Sequence, residues 1–253
     1  MRTMKSTPPA TTAAKPNPSP SPSPSATMVK NGEISLSEIE TWVFDLDNTL
    51  YSGVHGLFDQ IDVRMQSYVA DFLGLSPDEA RKVQKKYFRE FGTTLRGMMV
   101  NHAMEAEPFL EYVHQIDVSI IPPDSALKGA LGKLPGKKII FTNASRDHAN
   151  RVLARLGIED HFGGIFDIKD GGFVPKPDPA KYRELADAFN FEPKNAIMVE
   201  DIARNLHPAK EMGMATLWVR TQADCAVCQE EPTGDFVDFE TDDLTGWLAA
   251  RLR

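Results

Sequence analysis

Long hydrophobic runs are missing from this 253-residue chain. No apolar stretch approaches the ~18 residues that a membrane-crossing helix needs. A surplus of positive charge is missing too. Asp and Glu number 36 against 28 Lys and Arg, for a formal charge of −8, so neither nucleic acid nor an anionic membrane is an expected partner. Cysteine is scarce: Cys225 and Cys228 form one CxxC. Zinc would need further soft or imidazole ligands close by, and a thioredoxin-type motif belongs near a first βα unit. Reduced thiols in a late loop are therefore expected. Low cysteine use and the lack of an apolar signal segment point to the cytoplasm. What remains is an ordinary globular composition, 42% hydrophobic and 25% charged, long enough for one large domain or a core with a smaller insert.

The first 33 residues differ from the rest. "KPNPSPSPSPSA" (15–26) alternates proline with Ser and Asn, and seven of the 18 prolines precede Ala26. Such a segment buries too little apolar surface to offset the entropy of ordering, so a disordered tail is expected, with Met28 an alternative start. It is basic and free of acids up to Glu33, as transit peptides are, but its proline density opposes the amphipathic helix they form.

A strand is predicted at about 41–46. Helical spacing follows from Leu57 to about Leu134, in "LFDQIDVRMQSYVADFLG", "TLRGMMVNHAM" and "PFLEYVHQ". "SPDEARKVQKKYF" opens with Ser76 as N-cap, Pro77 at the first helical position and Glu79 completing a capping box. Strands then alternate with helices: "KKIIF", "GIFDI" and "NAIMVED" each precede a helical pattern, and "ATLWVR" closes the sheet. Short, continuous apolar strands alternating with helices imply right-handed βαβ units and a parallel sheet covered on both faces. The expected fold is α/β, a Rossmann-like three-layer core formed by residues 34–56 and 129–253, interrupted by an all-helical domain at 57–128.

Ligands of open parallel sheets bind outside the carboxyl ends of the strands. Polar residues stand at every such end. Asp45, Asp47 and Thr49 follow the first strand, Thr142 and Asn143 the second, Lys176 and Pro177 the third. Glu200, Asp201 and, a turn later, Asn205 follow the fourth. A single strand-end acid is most often a cap or turn residue, but four polar ends in register have no such ready explanation. Asp45, Asp47 and Asp201 offer hard oxygens for Mg²⁺, Thr142 and Asn143 offer donors to phosphate oxygens, and Lys176 offers a compact positive charge. That set suits phosphoryl transfer, where positioning and charge stabilisation dominate. One carboxylate can attack phosphorus, and its neighbour can protonate the leaving oxygen and then activate water.

"DLDNT", "TNAS", "PKPDP" and "VEDIARN" together resemble the four motifs of the haloacid dehalogenase superfamily, over roughly residues 40–225, with the helical insert resembling its C1-type cap. The resemblance implies that Asp45 is the nucleophile and Asp47 the general acid/base, with its backbone carbonyl a metal ligand. It implies that Thr142 binds phosphate, that Lys176 stabilises charge and that Asp201 holds the metal. Many relatives carry a second aspartate where this chain has Glu200 and Asn205, so these two are candidate outer partners of the metal. The superfamily's dehalogenases lack an acid at the position of Asp47, so its presence favours phosphate monoesters. Phosphomutases keep both acids and remain an alternative.

A narrower resemblance is to pyrimidine 5′-nucleotidases, carried by "DLDNTLYS", "YFREFGTTLRGM", "VHQID" and "FTNASRDHANRVLARLGI". It implies a Mg²⁺-dependent phosphatase of nucleoside monophosphates such as UMP and CMP. The alternatives are a phosphatase of sugar phosphates or of phosphomonoesters broadly, a phosphoacceptor signalling domain and a non-catalytic binding protein. Receivers carry their acidic pair first and the accepting Asp later, the reverse of the order here. Choice among esters is expected in the helical insert, with Phe91 stacking on a ring, Thr93 and Thr94 bonding to a base edge or ribose, Arg96 bonding to a carbonyl or a phosphate, and His55 near the sugar. Gly92 and Gly97 are expected to loosen the backbone there. The competing reading makes Thr93 a plain helix cap.

Overall fold

A computed structural model describes residues 36–220 and 234–251. The Pro/Ser-rich stretch of the first 33 residues and the Cys225/Cys228 pair lie outside the described residues.

The sheet is built from β1 (Thr41–Phe44), β2 (Lys137–Phe141), β3 (Gly164–Phe166), β4 (Ala196–Glu200), β5 (Ala215–Val219) and β6 (Phe239–Thr241). Their order is β3-β2-β1-β4-β5-β6, and every pairing is parallel. β1 is therefore central, with Phe44 level with Ile140 on one side and Val199 on the other. β5 does not close the sheet as expected. Three further residues, Phe239–Thr241, pair beyond it. The stretch "DFVDFETDD" around them is too short and too acidic to read as a strand, but Phe239 is buried and seats it.

Side chains alternate across the sheet, as the period of two requires. Trp42 and Phe44 face one core layer, shared with α5 (Ser125–Lys133), α6 (Arg146–Leu156) and α9 (Leu244–Arg251). Val43, Ile139 and Met198 face the other, under α7 (Pro179–Phe189) and α8 (Leu206–Glu211). The strands are apolar on both faces because both faces are covered.

Between β1 and α5 stand α1 (Leu57–Leu73), α2 (Pro77–Phe91), α3 (Thr94–His102) and α4 (Ala106–Val113), packed on one another. Local signals set their ends. Ser76 and Glu79 form the capping box of α2, Gly74 ends α1 in the left-handed region, and the Thr93 hydroxyl accepts from Arg96 N at the start of α3. An aromatic cluster knits the bundle: the Tyr68 ring meets Phe109 at 5.2 Å and Tyr112 at 5.4 Å. The expected domain limit at residue 128 falls inside α5, which packs on α9 and on the turn Glu159–His161 rather than on the four-helix bundle.

Gly97 does not loosen anything. It lies within α3 against Tyr87, where an added Cβ would stand 2.3 Å from Tyr87 Cγ. Tyr87 is itself fixed by a 2.7 Å hydrogen bond with His102 Nε2 and by an edge-to-face contact with Phe91. Gly97→Ala should therefore lower stability by about 1–3 kcal/mol through overpacking. Denaturant unfolding of the variant checks this; an unchanged midpoint would show that Tyr87 can move aside without cost.

Candidate functional site

The carboxyl ends of β1, β2 and β4 and the loop after β3 meet at one point. Asp45 continues the β1 ladder through Asp45 N to Val199 O (2.9 Å), which fixes its side chain at the mouth of the sheet. The Lys176 Nζ donates to Asp45 Oδ1 (2.7 Å), Glu200 Oε2 (2.7 Å) and the carbonyl of Phe141 (2.8 Å). An ammonium has three donors, so Lys176 is saturated. It is also only 2% exposed. The second Glu200 oxygen accepts from Ile202 N (3.2 Å), so Glu200 serves Lys176 and its own loop. Thr49 donates to Asp45 Oδ2 at 3.0 Å and lies 3.5 Å from Asp201 Oδ1.

One ammonium thus faces three buried carboxylates. Asp45, Glu200 and Asp201 each place an oxygen within 4.8 Å of the others. Burial and then the charge of Glu200 push the Asp45 carboxyl up to about 7, against the pull of Lys176. Burial, then Glu200 and Asp45, raise Asp201 well above the usual range. Burial works against the charged form of Lys176, but Asp45 and Glu200 outweigh it and hold the lysine above its ordinary value. A hard divalent cation fits this donor set: all donors are carboxylate oxygens, and positive charge is short.

Asp47 sits apart from that trio. Its Oδ1 accepts from the Tyr51 hydroxyl (2.6 Å) and pairs with His148 Nε2 (2.8 Å). Burial alone would raise its pKa, but the charge and hydrogen bond of His148, helped by Tyr51, hold it below the ordinary value. His148 in turn stacks on His114, with centroids 4.6 Å apart and planes 15° apart. The His114 Nδ1 pairs with Ser145 Oγ (2.9 Å). Burial, then the adjacent His148, push His114 down to about 3.

The remaining expected residues divide. Thr142 accepts from Ala144 N (3.0 Å) through its Oγ and borders the cavity over the sheet. Asn143 borders it as well, but its side-chain Oδ1 accepts from Lys176 N (2.8 Å), and its Nδ2 donates to Lys176 O (3.4 Å). It fixes the lysine's backbone. Asn205 is buried beside the cavity, its carbonyl accepting from Tyr182.

The cavity measures about 410 Å³ and is roofed by the helical bundle. Thr93 and Thr94 border it, but the Thr94 hydroxyl donates to the Gln84 carbonyl (3.3 Å) and Thr93 caps α3. Phe91, Arg96 and His55 are absent from its walls; Phe91 packs on Tyr87, and His55 is exposed. The walls come instead from Phe58, Ile61, Met65, Phe88, Leu110 and Val113. Sequence reasoning missed these because they are spaced as ordinary helix-core residues. It missed His148 and Ser145 as well, although Ser145 closes the motif "TNAS" and His148 follows three residues later.

The match to known proteins agrees with this geometry: residues 39–213 fit the model of the haloacid dehalogenase-like hydrolases. The chain belongs to that family. Within it, the chain is similar to Phosphate metabolism protein 8 of Saccharomyces cerevisiae, 31% identical over 201 residues, 69% of this chain and 60% of the yeast protein. It is also similar to a phosphoglycolate phosphatase of Neisseria gonorrhoeae, 24% identical over 200 residues, 73% of this chain and 81% of the relative. Its fold resembles that of CbbY from Rhodobacter sphaeroides, solved in complex with phosphate, with a TM-score of 0.58 and 17% identity over 82% of this chain and 95% of the other. Among the described residues of this family member, no helix is long and apolar enough to cross a membrane.

The raised Asp45 carboxyl carries a stability consequence. The folded protein keeps that proton up to about pH 7, whereas an unfolded chain releases it near ~4. The contribution is present below the unfolded value and is lost as pH rises through about 7. Asn at 45 still accepts from Lys176 but carries no charge. In chelator, Asp45→Asn should melt a few degrees above wild type at pH 8, with the gap closing near pH 4. Thermal unfolding at both pH values reads this, and a wild type that is the more stable at pH 8 would refute it.

Proposed function

We propose that the chain is a Mg²⁺-dependent phosphomonoesterase working through an aspartyl-phosphate on Asp45, with nucleoside monophosphates, pyrimidine ones first, as its substrates. The observation that carries this reading is the division of labour between two aspartates two residues apart. Asp45 is paired with Lys176 among buried acids, and Asp47 is held separately by Tyr51 and His148.

In this reading, the Asp45 carboxylate attacks phosphorus, and the bond to the ester oxygen breaks. Asp47 gives that oxygen its proton. Asp47 then takes a proton from the water that attacks the phosphoryl group, which frees phosphate and restores Asp45. Lys176 keeps the nucleophile oriented and offsets the charge gathered on the phosphoryl oxygens. Thr142 binds one of those oxygens. The groups suited to hold Mg²⁺ are the carboxylates of Asp45 and Asp201 and the backbone carbonyl of Asp47, with Glu200 and Asn205 behind them. The ion would supply Lewis-acid stabilisation of the phosphoryl oxygens.

The cavity walls mix apolar side chains with Asp59, Asp62 and Gln84, which supports a leaving group that has both a ring and polar edges. Its volume of about 410 Å³ lies within the usual range for small-molecule sites. Phe58 and Phe88 border the cavity, and Arg204 lies over the Phe88 ring at 4.4 Å. The two cations on the helical wall, Arg81 and Lys85, are ion-paired with Asp62 at 3.5 and 2.8 Å. A small carboxylated ester would have to compete with Asp62 for them. Sugar phosphates and phosphomonoesters in general are the second reading, favoured by the similarity to a phosphoglycolate phosphatase.

The test is purified protein against UMP, CMP, AMP, GMP, sugar phosphates, phosphoglycolate and p-nitrophenyl phosphate. Turnover should vanish in excess chelator and return with Mg²⁺. Asp45→Asn should be inactive, and Lys176→Ala should lose about 10²–10³-fold, the scale of removing one charge-stabilising group. Full activity in chelator, or in Asp45→Asn, would overturn the assignment. A preference for polyol or carboxylated esters over every nucleotide would move the substrate to the second reading.

A further inference from the structure

Asp47 must do its work through one of two oxygens, and the structure distinguishes them. Oδ1 receives both the Tyr51 hydroxyl at 2.6 Å and His148 Nε2 at 2.8 Å. Among the described residues, Oδ2 accepts no hydrogen bond, and Asp47 borders the cavity. Tyr51 and His148 do not border it, and His148 is wholly buried. The second ring nitrogen of His148, Nδ1, is buried without a partner. A carboxylate oxygen facing a ring nitrogen can only accept, so Nε2 carries an N–H and donates to Asp47. Two donors already occupy Oδ1, which leaves Oδ2 as the oxygen free to face a substrate.

We propose that Tyr51 and His148 are positioning residues that lock Asp47 with Oδ2 turned toward the ester oxygen of the substrate, and that His114 seats His148 from the helical bundle. The proposal rests on the phosphomonoesterase reading above. His114 follows α4 directly, and its ring lies flat on His148. Arg151, on the same helix as His148, donates to the carbonyls of His114 (2.6 Å) and Ile116. The segment that returns from the bundle to the core is thereby fastened to the helix bearing the clamp.

A clamp on a proton donor acts on some substrates more than others. An alkyl ester leaves as a strongly basic oxygen and needs the proton, whereas p-nitrophenolate leaves with little help. In His148→Leu, kcat for the best alkyl ester of the panel should fall roughly 10–100-fold, part of the ~10²–10⁴-fold due to a general acid, and kcat for p-nitrophenyl phosphate much less. His148→Gln places an amide donor near the Nε2 position and should restore most of the alkyl-ester rate. Tyr51→Phe should shift the ratio of the two rates in the same direction as Leu. In an Asp47→Asn background, His148→Leu should not change that ratio further. Equal losses on both esters, no rescue by Gln, or a further shift without Asp47 would each reduce His148 to a packing role and overturn the proposal.

The proton position is read without turnover by ¹⁵N NMR of the wild-type imidazole. An N–H on Nε2, whatever the charge of the ring, supports the clamp, and an Nε2 without a proton refutes it. If the wild type hydrolyses no phosphate ester, the phosphomonoesterase reading fails, and the NMR result still decides whether the clamp exists.

Discussion

A single buried ammonium holds the working end of this protein together. Lys176 reaches oxygens that belong to three different strand ends: the carbonyl of Phe141, the carboxylate after β1 and the carboxylate that ends β4. Each ion alone would be costly to bury. Paired, Lys176, Asp45 and Glu200 offset part of that cost, and the crowded acids leave positive charge short. The parallel sheet makes the arrangement possible, because side-by-side strands running one way deliver their carboxyl ends to the same edge. Even the loop that carries Lys176 is secured by a side chain from a neighbouring strand end, through the reciprocal bonds to Asn143.

The acids are graded by their surroundings. Asp45 and Asp201 share one cation with Glu200 and are pushed toward protonation, while Asp47 is held toward ionisation by two donors of its own. Two carboxyls two residues apart thus acquire opposite tendencies from their surroundings. The family membership fits this arrangement of acids at the strand ends.

Much of the frame was legible because it is local. Apolar strands ending in acids, Ser76 with Glu79, and glycine at the end of α1 are all written within a few residues of their effect. The meeting of Asp45, Lys176 and Asp201 was legible through the order of the strand ends. The Asp47–His148 contact was not: the two residues are 101 apart, and a lone histidine in a helix carries no label. The ligand-facing wall was misjudged for a related reason. Phe91, Thr94 and Arg96 looked exposed to a ligand because they flank two glycines. Yet Phe91 packs inward, Thr94 borders the cavity but spends its hydroxyl on backbone, and Gly97 is small only to admit Tyr87. Phe58, Met65 and Phe88 fill the cavity wall from positions that read as bundle core.

The turn between α2 and α3 rests on the backbone of the lysine that anchors the site. Gly92 has φ +82°, and a Cβ there would stand 2.8 Å from the carbonyl oxygen of Lys176. The helical insert is thus in mechanical contact with the anchor, and the two are not freely interchangeable modules. A chimera that takes its insert from a relative inherits this joint. Unless the graft brings a residue without a side chain to the same turn, it will shift the peptide that aims Lys176, whatever walls it supplies for the ligand.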